Sequence, residues 1–221
     1  MPYTYIVLNF ILIFPFVFVI ILSERRDTVK KNKFIVDCAI LCALTVMLQL
    51  LSTFVTNAFQ FSLTLALIPV SIACIHYGAK CGMLVSAAMG ITLFIECAVG
   101  FDVGGGIMFA LSPVKTFIGS AGRVFFAACG VILVSSLTKK YEQKTWRSFL
   151  LSALLPIFNT GIFLLAFITM FNPLLRQWAN SAGSTVVSYI FLGLVGINFV
   201  IELITCTVLC PAIIKALQKL K

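Results

Sequence analysis

Across its 221 residues the chain is 61% apolar and only 10% charged, with a mean hydropathy of +1.12. A soluble domain carries about 25% charged residues, so these charges are too few to cover a water-facing surface, and the composition excludes a soluble globular fold. The net charge of +9 falls in short Lys/Arg clusters between apolar runs, which is how membrane topology distributes charge and leaves no basic face for nucleic acid. The class is an all-α polytopic membrane protein.

A spanning helix needs about 20 mostly apolar residues, and the chain offers seven such runs. The first, Tyr3–Leu22, has no positive charge in front and no small-residue cleavage site, so it reads as a retained helix rather than a signal peptide. It ends at the basic linker "SERRDTVKKNK". The second runs from Phe34 to about Thr53, followed by the polar-aromatic loop "TFVTNAFQF". The third is Ser62 to His76, with "HYGAK" as a tight turn, and the fourth is Cys81 to Val99. After the Gly-rich loop "GFDVGGG" a long fifth helix spans Ile107 to Leu137. The sixth covers Ser148 to Phe171; the polar loop "NPLLRQWANSAGST" follows, and the last helix runs from Val186 to about Ile214. Residues 1–33 thus form an extra helix with a basic linker, and residues 34–221 form a six-helix domain.

Lys and Arg set the orientation. One side collects Arg25, Arg26, Lys30, Lys80, Lys139, Lys144, Lys215 and their basic neighbours, whereas the loops of the other side hold only Arg176. By the positive-inside rule the C-terminus is cytoplasmic, and seven spans place Met1 outside. The loops after the second, fourth and sixth helices then face outward. They are the polar ones, and Asn57 and Gln60 in the first of them are candidate ligand contacts at the mouth of a pocket.

Small residues four apart mark close helix contacts in lipid. Gly82, Ser86 and Gly90 form such a stripe on the fourth helix and read as internal packing. Ala39 and Ala43 form AxxxA on the second, just inside the basic segment, where either internal packing or a docking face for another protein fits. Eight cysteines lie in or beside the apolar runs, none in CxxC. The CxxxC pairs Cys38/Cys42 and Cys206/Cys210 would permit a metal site, but polarizable packing residues are the better reading and no metal or other cofactor is expected.

Few polar side chains remain inside the spans: Glu96, Lys115, Arg123, Asn159, Asn198 and Glu202. A charge at mid-bilayer costs at least ~2.5–3.5 kcal/mol, so each needs a partner or water. Counted at 1.5 Å per residue from Ile107, Arg123 lies about 24 Å down, and Glu202, counted from Val186, lies at the same depth. Matched depth and opposite sign make them a structural ion pair, with a proton or ion relay as the alternative for Glu202. Glu96 and Lys115 lie nearer the outer end. Asn159 and Asn198 fall near mid-depth, where amides either orient a small polar ligand in an apolar pocket or hydrogen-bond between helices.

No GxxxxGK[ST], HExxH or GxSxG is present, and His76 is the single histidine. ATP binding of the P-loop kind and Ser–His chemistry find no support, so the chain reads as a non-enzyme.

The segment "FSLTLALIPVSIACIHYGAKCGMLVSAAMGI" resembles the second and third helices of the substrate-capture (S) components of energy-coupling-factor transporters. "AILCALTVMLQLL" is similar to that family's first helix, with Ala39 and Ala43 as its AxxxA, and "PIFNTGIFLLAF" and "GLVGINFVIELITCTVLCPAI" are similar to the last two helices of one subgroup. The resemblance covers about Phe34 to Leu217. It departs in the added helix Tyr3–Leu22 and in Ala79, where relatives often place proline. It implies a six-helix binder of a vitamin or related micronutrient in a prokaryotic plasma membrane, working with a transmembrane coupling subunit and two ATPase subunits. Ala39 and Ala43 would dock on the coupling subunit, and the outer loops and outer halves of the last three helices would form the pocket. Lys115, if it faced that pocket, would favour a carboxylate-bearing ligand. A secondary transporter that needs no ATPase, and a ligand-free membrane assembly subunit, are the competing expectations.

Overall fold

The computed structural model describes residues 29–59, 64–141 and 145–219. The expected helix Tyr3–Leu22 and Gln60 lie outside these residues. Among the described residues the secondary structure is helical, with no strand. The helices are α1 (Val29–Phe59), α2 (Leu67–Tyr77), α3 (Ala79–Val99), α4 (Val103–Leu111), α5 (Pro113–Leu137), α6 (Thr145–Met170), α7 (Asn172–Ser181), α8 (Val186–Val195) and α9 (Gly196–Lys219). Five of them, α1, α3, α5, α6 and α9, contain segments long and apolar enough to cross a membrane. The architecture is that of a helical membrane protein.

Three expected elements come out differently, each for a local reason. The fifth helix is broken. A residue before proline is pushed out of the helical region, and Ser112, ahead of Pro113, is extended at φ −164° and ψ 105°. Its hydroxyl caps α5 by accepting from the Lys115 backbone N–H, with Pro113 in the first turn, where a missing N–H is harmless. Arg123 therefore lies about 15 Å along α5 rather than about 24 Å along one continuous rod. The last helix is broken at Gly196, whose φ of 39° is left-handed. The "NPLLRQWANSAGST" loop contains the helix α7, which buries Leu174, Leu175 and Ala179 and leaves Arg176 exposed. Apolar residues at i, i+1 and i+5 of a ten-residue helix with Pro173 in its first turn form an amphipathic face that packs on α6.

Helix α2 is eleven residues long, about 16 Å, so it reaches only half-way across a bilayer. Its polar ends survive at that depth because protein surrounds it: Leu67, Val70 and Ala73 are fully buried against α1, α3 and α9. The Gly82–Ser86–Gly90 stripe is a contact face, as expected. A Cβ on Gly82 would stand 2.9 Å from the Cys74 Cα of α2, and one on Gly90 would stand 2.8 Å from the Ala121 Cα of α5. Gly90→Ala therefore lowers stability by about 1–3 kcal/mol, because backbone cannot move aside as a side chain can. Gly161→Ala, where nothing lies within 4 Å of the added carbon, does not. Thermal unfolding of the two detergent-solubilised variants makes the comparison.

At the end of the bundle where α5 meets α6, Arg147 is buried. Its guanidinium donates to the Ser135 carbonyl (2.9 Å), the Ser135 hydroxyl (2.7 Å) and the Thr138 hydroxyl (3.1 Å). This residue of the basic cluster is a clamp on the turn. On α1, by contrast, Val36, Ile40, Leu44, Met47, Leu51 and Phe54 form an exposed stripe at three- and four-residue spacing. Ala43 is exposed beside that stripe and Ala39 is half-buried, so the AxxxA pair is not consumed by packing inside the bundle.

Candidate polar chamber

The apolar bundle holds a partly open cavity of about 380 Å³ whose wall mixes polar and apolar side chains. Every long helix contributes polar groups or a thiol: Gln49 and Thr53 from α1, Cys97 from α3, Ser120 and Arg123 from α5, Asn159 from α6, and Asn198 and Glu202 from α9. Asp102 and the start of α4 close one part of the wall, and Trp178 of α7 closes another.

The α1 side begins with a repeat of polar residues at every fourth position, Thr45, Gln49, Thr53 and Asn57, which puts them on one helix face. Thr45 turns back on its own helix, donating to the Leu41 carbonyl at 2.7 Å. Gln49 and Thr53 converge on Glu96 near the end of α3. The amide nitrogen and the hydroxyl each donate to Glu96 Oε2 at 2.9 Å, and Gln49 also donates to the Thr53 hydroxyl at 3.1 Å. Glu96 is 2% exposed, which a carboxylate tolerates only when hydrogen-bonded. Its backbone carbonyl accepts from the N–H groups of Phe101 (2.9 Å) and Asp102 (3.3 Å), and Asn57 donates to the Phe101 carbonyl. One face of α1 thereby holds the loop that places Asp102 on the chamber wall. Gly105 leaves room there for two side chains, since a Cβ would require Cys97 Sγ and Asp102 Oδ2 to move aside.

Across the chamber, Arg123 lies with its guanidinium carbon 4.8 Å from the centre of the Phe163 ring, a cation–π contact. Phe163 and Phe167 of α6 stack with Phe171 just beyond its end, and Trp178 stacks on Phe167 at 5.5 Å, forming a compact aromatic wall. Arg123 shares this wall with the carboxylates of Asp102 and Glu202. Arg123 and Glu202, the expected ion pair, both line the chamber, but no direct ion pair joins them, and Arg123 Nε and Glu202 Oε1 both lack a hydrogen-bond partner. Both expected asparagines line the same space, Asn159 with its side-chain oxygen buried and unpartnered. A π-helical turn over Ile118–Gly122 precedes Arg123, and another over Tyr189–Val195 precedes the Gly196 break; both place residues on the chamber wall. Such turns recur at functional sites.

Other expected site residues lie elsewhere. Lys115 is exposed and does not line the chamber; its ammonium donates to the Met170 carbonyl at 3.4 Å. The extended Ser112 sets this, because the break re-aims the first turn of α5. Asn57 and Glu96 support the wall from behind. Gln49, Thr53 and Asp102 were not among the expected contacts. The four-residue spacing of Thr45, Gln49, Thr53 and Asn57 was the signal for the first two; placing the end of the second helix near Thr53 hid it. Among the described residues no group of three or more His, Cys, Asp or Glu side chains is arranged to hold a metal ion.

No protein-family model, curated protein or solved structure matches this chain.

Proposed function

We propose that the protein is a membrane-embedded substrate-binding subunit. It captures a small water-soluble molecule, a vitamin or related micronutrient, for uptake powered by partner subunits of the energy-coupling-factor kind. The observation that carries the reading is the chamber itself. Burying Glu202 and Asn159 and half-burying Arg123 and Asn198 inside an apolar bundle costs several kcal/mol, and apolar packing would serve structure alone at lower cost. A cavity of about 380 Å³ lies in the range of small-molecule sites, and a few convergent polar groups in an otherwise apolar setting are how such sites fix orientation. In this reading the chamber opens to the outside of a prokaryotic plasma membrane, the basic end of the bundle and the C-terminus are cytoplasmic, Met1 is outside, and the ligand leaves chemically unchanged.

The partners are a transmembrane coupling subunit and two ATPases, with Ala39 and Ala43 as the docking pair. Their position beside the exposed stripe of α1 supports this. Ala39→Leu combined with Ala43→Leu is expected to abolish co-purification with the coupling subunit while leaving ligand retention intact; loss of both together would assign the pair to internal packing.

The function is tested by purifying the protein in mild detergent, extracting it with organic solvent and identifying the released small molecule by mass spectrometry. A stoichiometric micronutrient supports the reading; lipid and detergent alone argue against it. A second reading, secondary transport without ATPases, draws on the helix break at Gly196 and the half-length α2, since discontinuous helices line the sites of such carriers. Uptake by proteoliposomes holding this chain alone, abolished by an uncoupler, would select it.

A further inference from the structure

The charges on the chamber wall do not balance. Two carboxylates, Asp102 and Glu202, face one cation, Arg123, and a third carboxylate, Glu96, stands directly behind Gln49 and Thr53. Lys115, which could have evened the count, is outside. The unpartnered buried atoms lean the same way. Gln49 spends its amide hydrogens on Glu96 and Thr53, so the atom left over is its carbonyl oxygen. Glu202 Oε1 is likewise an unpartnered acceptor, and on the donor side stands Arg123 Nε. Buried polar atoms left unmade are costly, and in low-dielectric surroundings an uncompensated negative charge attracts a cation strongly. The aromatic wall of Phe163 and Trp178 adds faces that favour a cation or a flat ring.

We infer that the chamber selects an organic cation or amine-bearing ring, rich in hydrogen-bond donors and carrying one acceptor for Arg123, and discriminates against carboxylate and phosphate ligands. The inference rests on the chamber being a ligand site and specifies the chemistry of what enters it. Asp102 and Glu202 hold the positive group, the Gln49 carbonyl takes a donor, Arg123 takes the acceptor, and Phe163 and Trp178 flank the ring.

The test uses yeast extract as a source of micronutrients, separated at neutral pH into a cation-exchanger-retained fraction, an anion-exchanger-retained fraction and a flow-through. Each is added to the washed, detergent-solubilised protein, and the thermal unfolding midpoint is read. The cation-exchanger fraction is expected to raise the midpoint. Asp102→Asn and Glu202→Gln should each raise the amount needed for half the effect by about tenfold or more, while Lys115→Met leaves it unchanged. Asp102 sits in a partly exposed loop, so its variant remains informative if Glu202→Gln does not fold. Stabilisation by the anion-exchanger fraction or the flow-through alone overturns the charge preference and leaves the chamber a binding site. Stabilisation by no fraction overturns both.

Discussion

Gln49→Leu combined with Thr53→Val is expected to destabilise the protein by about 3–6 kcal/mol, two charge-assisted hydrogen bonds at the usual scale for each. Both donors end on the same oxygen, Glu96 Oε2, and the carboxylate is 2% exposed, so water cannot replace them. The loss should extend beyond α1. The same stretch of α3 anchors Phe101 and Asp102 through the Glu96 carbonyl, so the loop on the chamber wall loosens and ligand retention falls as well. Adding Glu96→Leu should restore most of the stability, because removing the buried charge removes the need for its partners. Thermal unfolding of the double and triple variants checks this. If the triple variant is less stable than the double, the carboxylate is not the group that Gln49 and Thr53 serve.

Arg123→Met is expected to have the next largest effect. It removes the cation on a chamber wall that also carries Asp102 and Glu202, at a cost of up to about 3–5 kcal/mol, the scale for stripping one member from a buried set of opposite charges. Glu202→Leu in the same chain should return much of that stability, since the buried carboxylate left without its cation is then gone. Ligand retention should not return, because both groups belong to the chamber wall. A double-mutant cycle read by thermal unfolding separates a coupled pair from two independent packing contributions: the two losses should be clearly less than additive, and strict additivity would dissolve the pair.

The sequence showed the membrane class, the order of the long helices and the packing stripe of α3. All of these follow from hydropathy and from the i, i+4 geometry of small residues. Arg123, Asn159, Asn198 and Glu202 were legible as residues of the chamber wall because a polar group inside an apolar run has to be explained. The positions of the breaks were harder to read. Ser112–Pro113 and Gly196 are ordinary punctuation that a hydropathy window averages away, yet the first re-aims Lys115 and shortens the depth of Arg123. Gln49 and Thr53 were missed for the opposite reason: glutamine and threonine carry no charge, and only their register with Asn57 marks the polar face of α1. Asp102 was seen only as the acid of a Gly-rich loop. Its place on the wall depends on hydrogen bonds from that loop to the Glu96 carbonyl, which link positions that sequence pattern alone does not pair.

Native mass spectrometry of the protein released from mild detergent tests the central claim most directly, when it is run beside Ser120→Phe, a variant that fills the chamber from the α5 wall. The account predicts one small organic molecule bound per wild-type chain and none on the folded variant. The same adduct on both proteins, or a bare wild-type chain that stays bare after exposure to yeast extract, would contradict it.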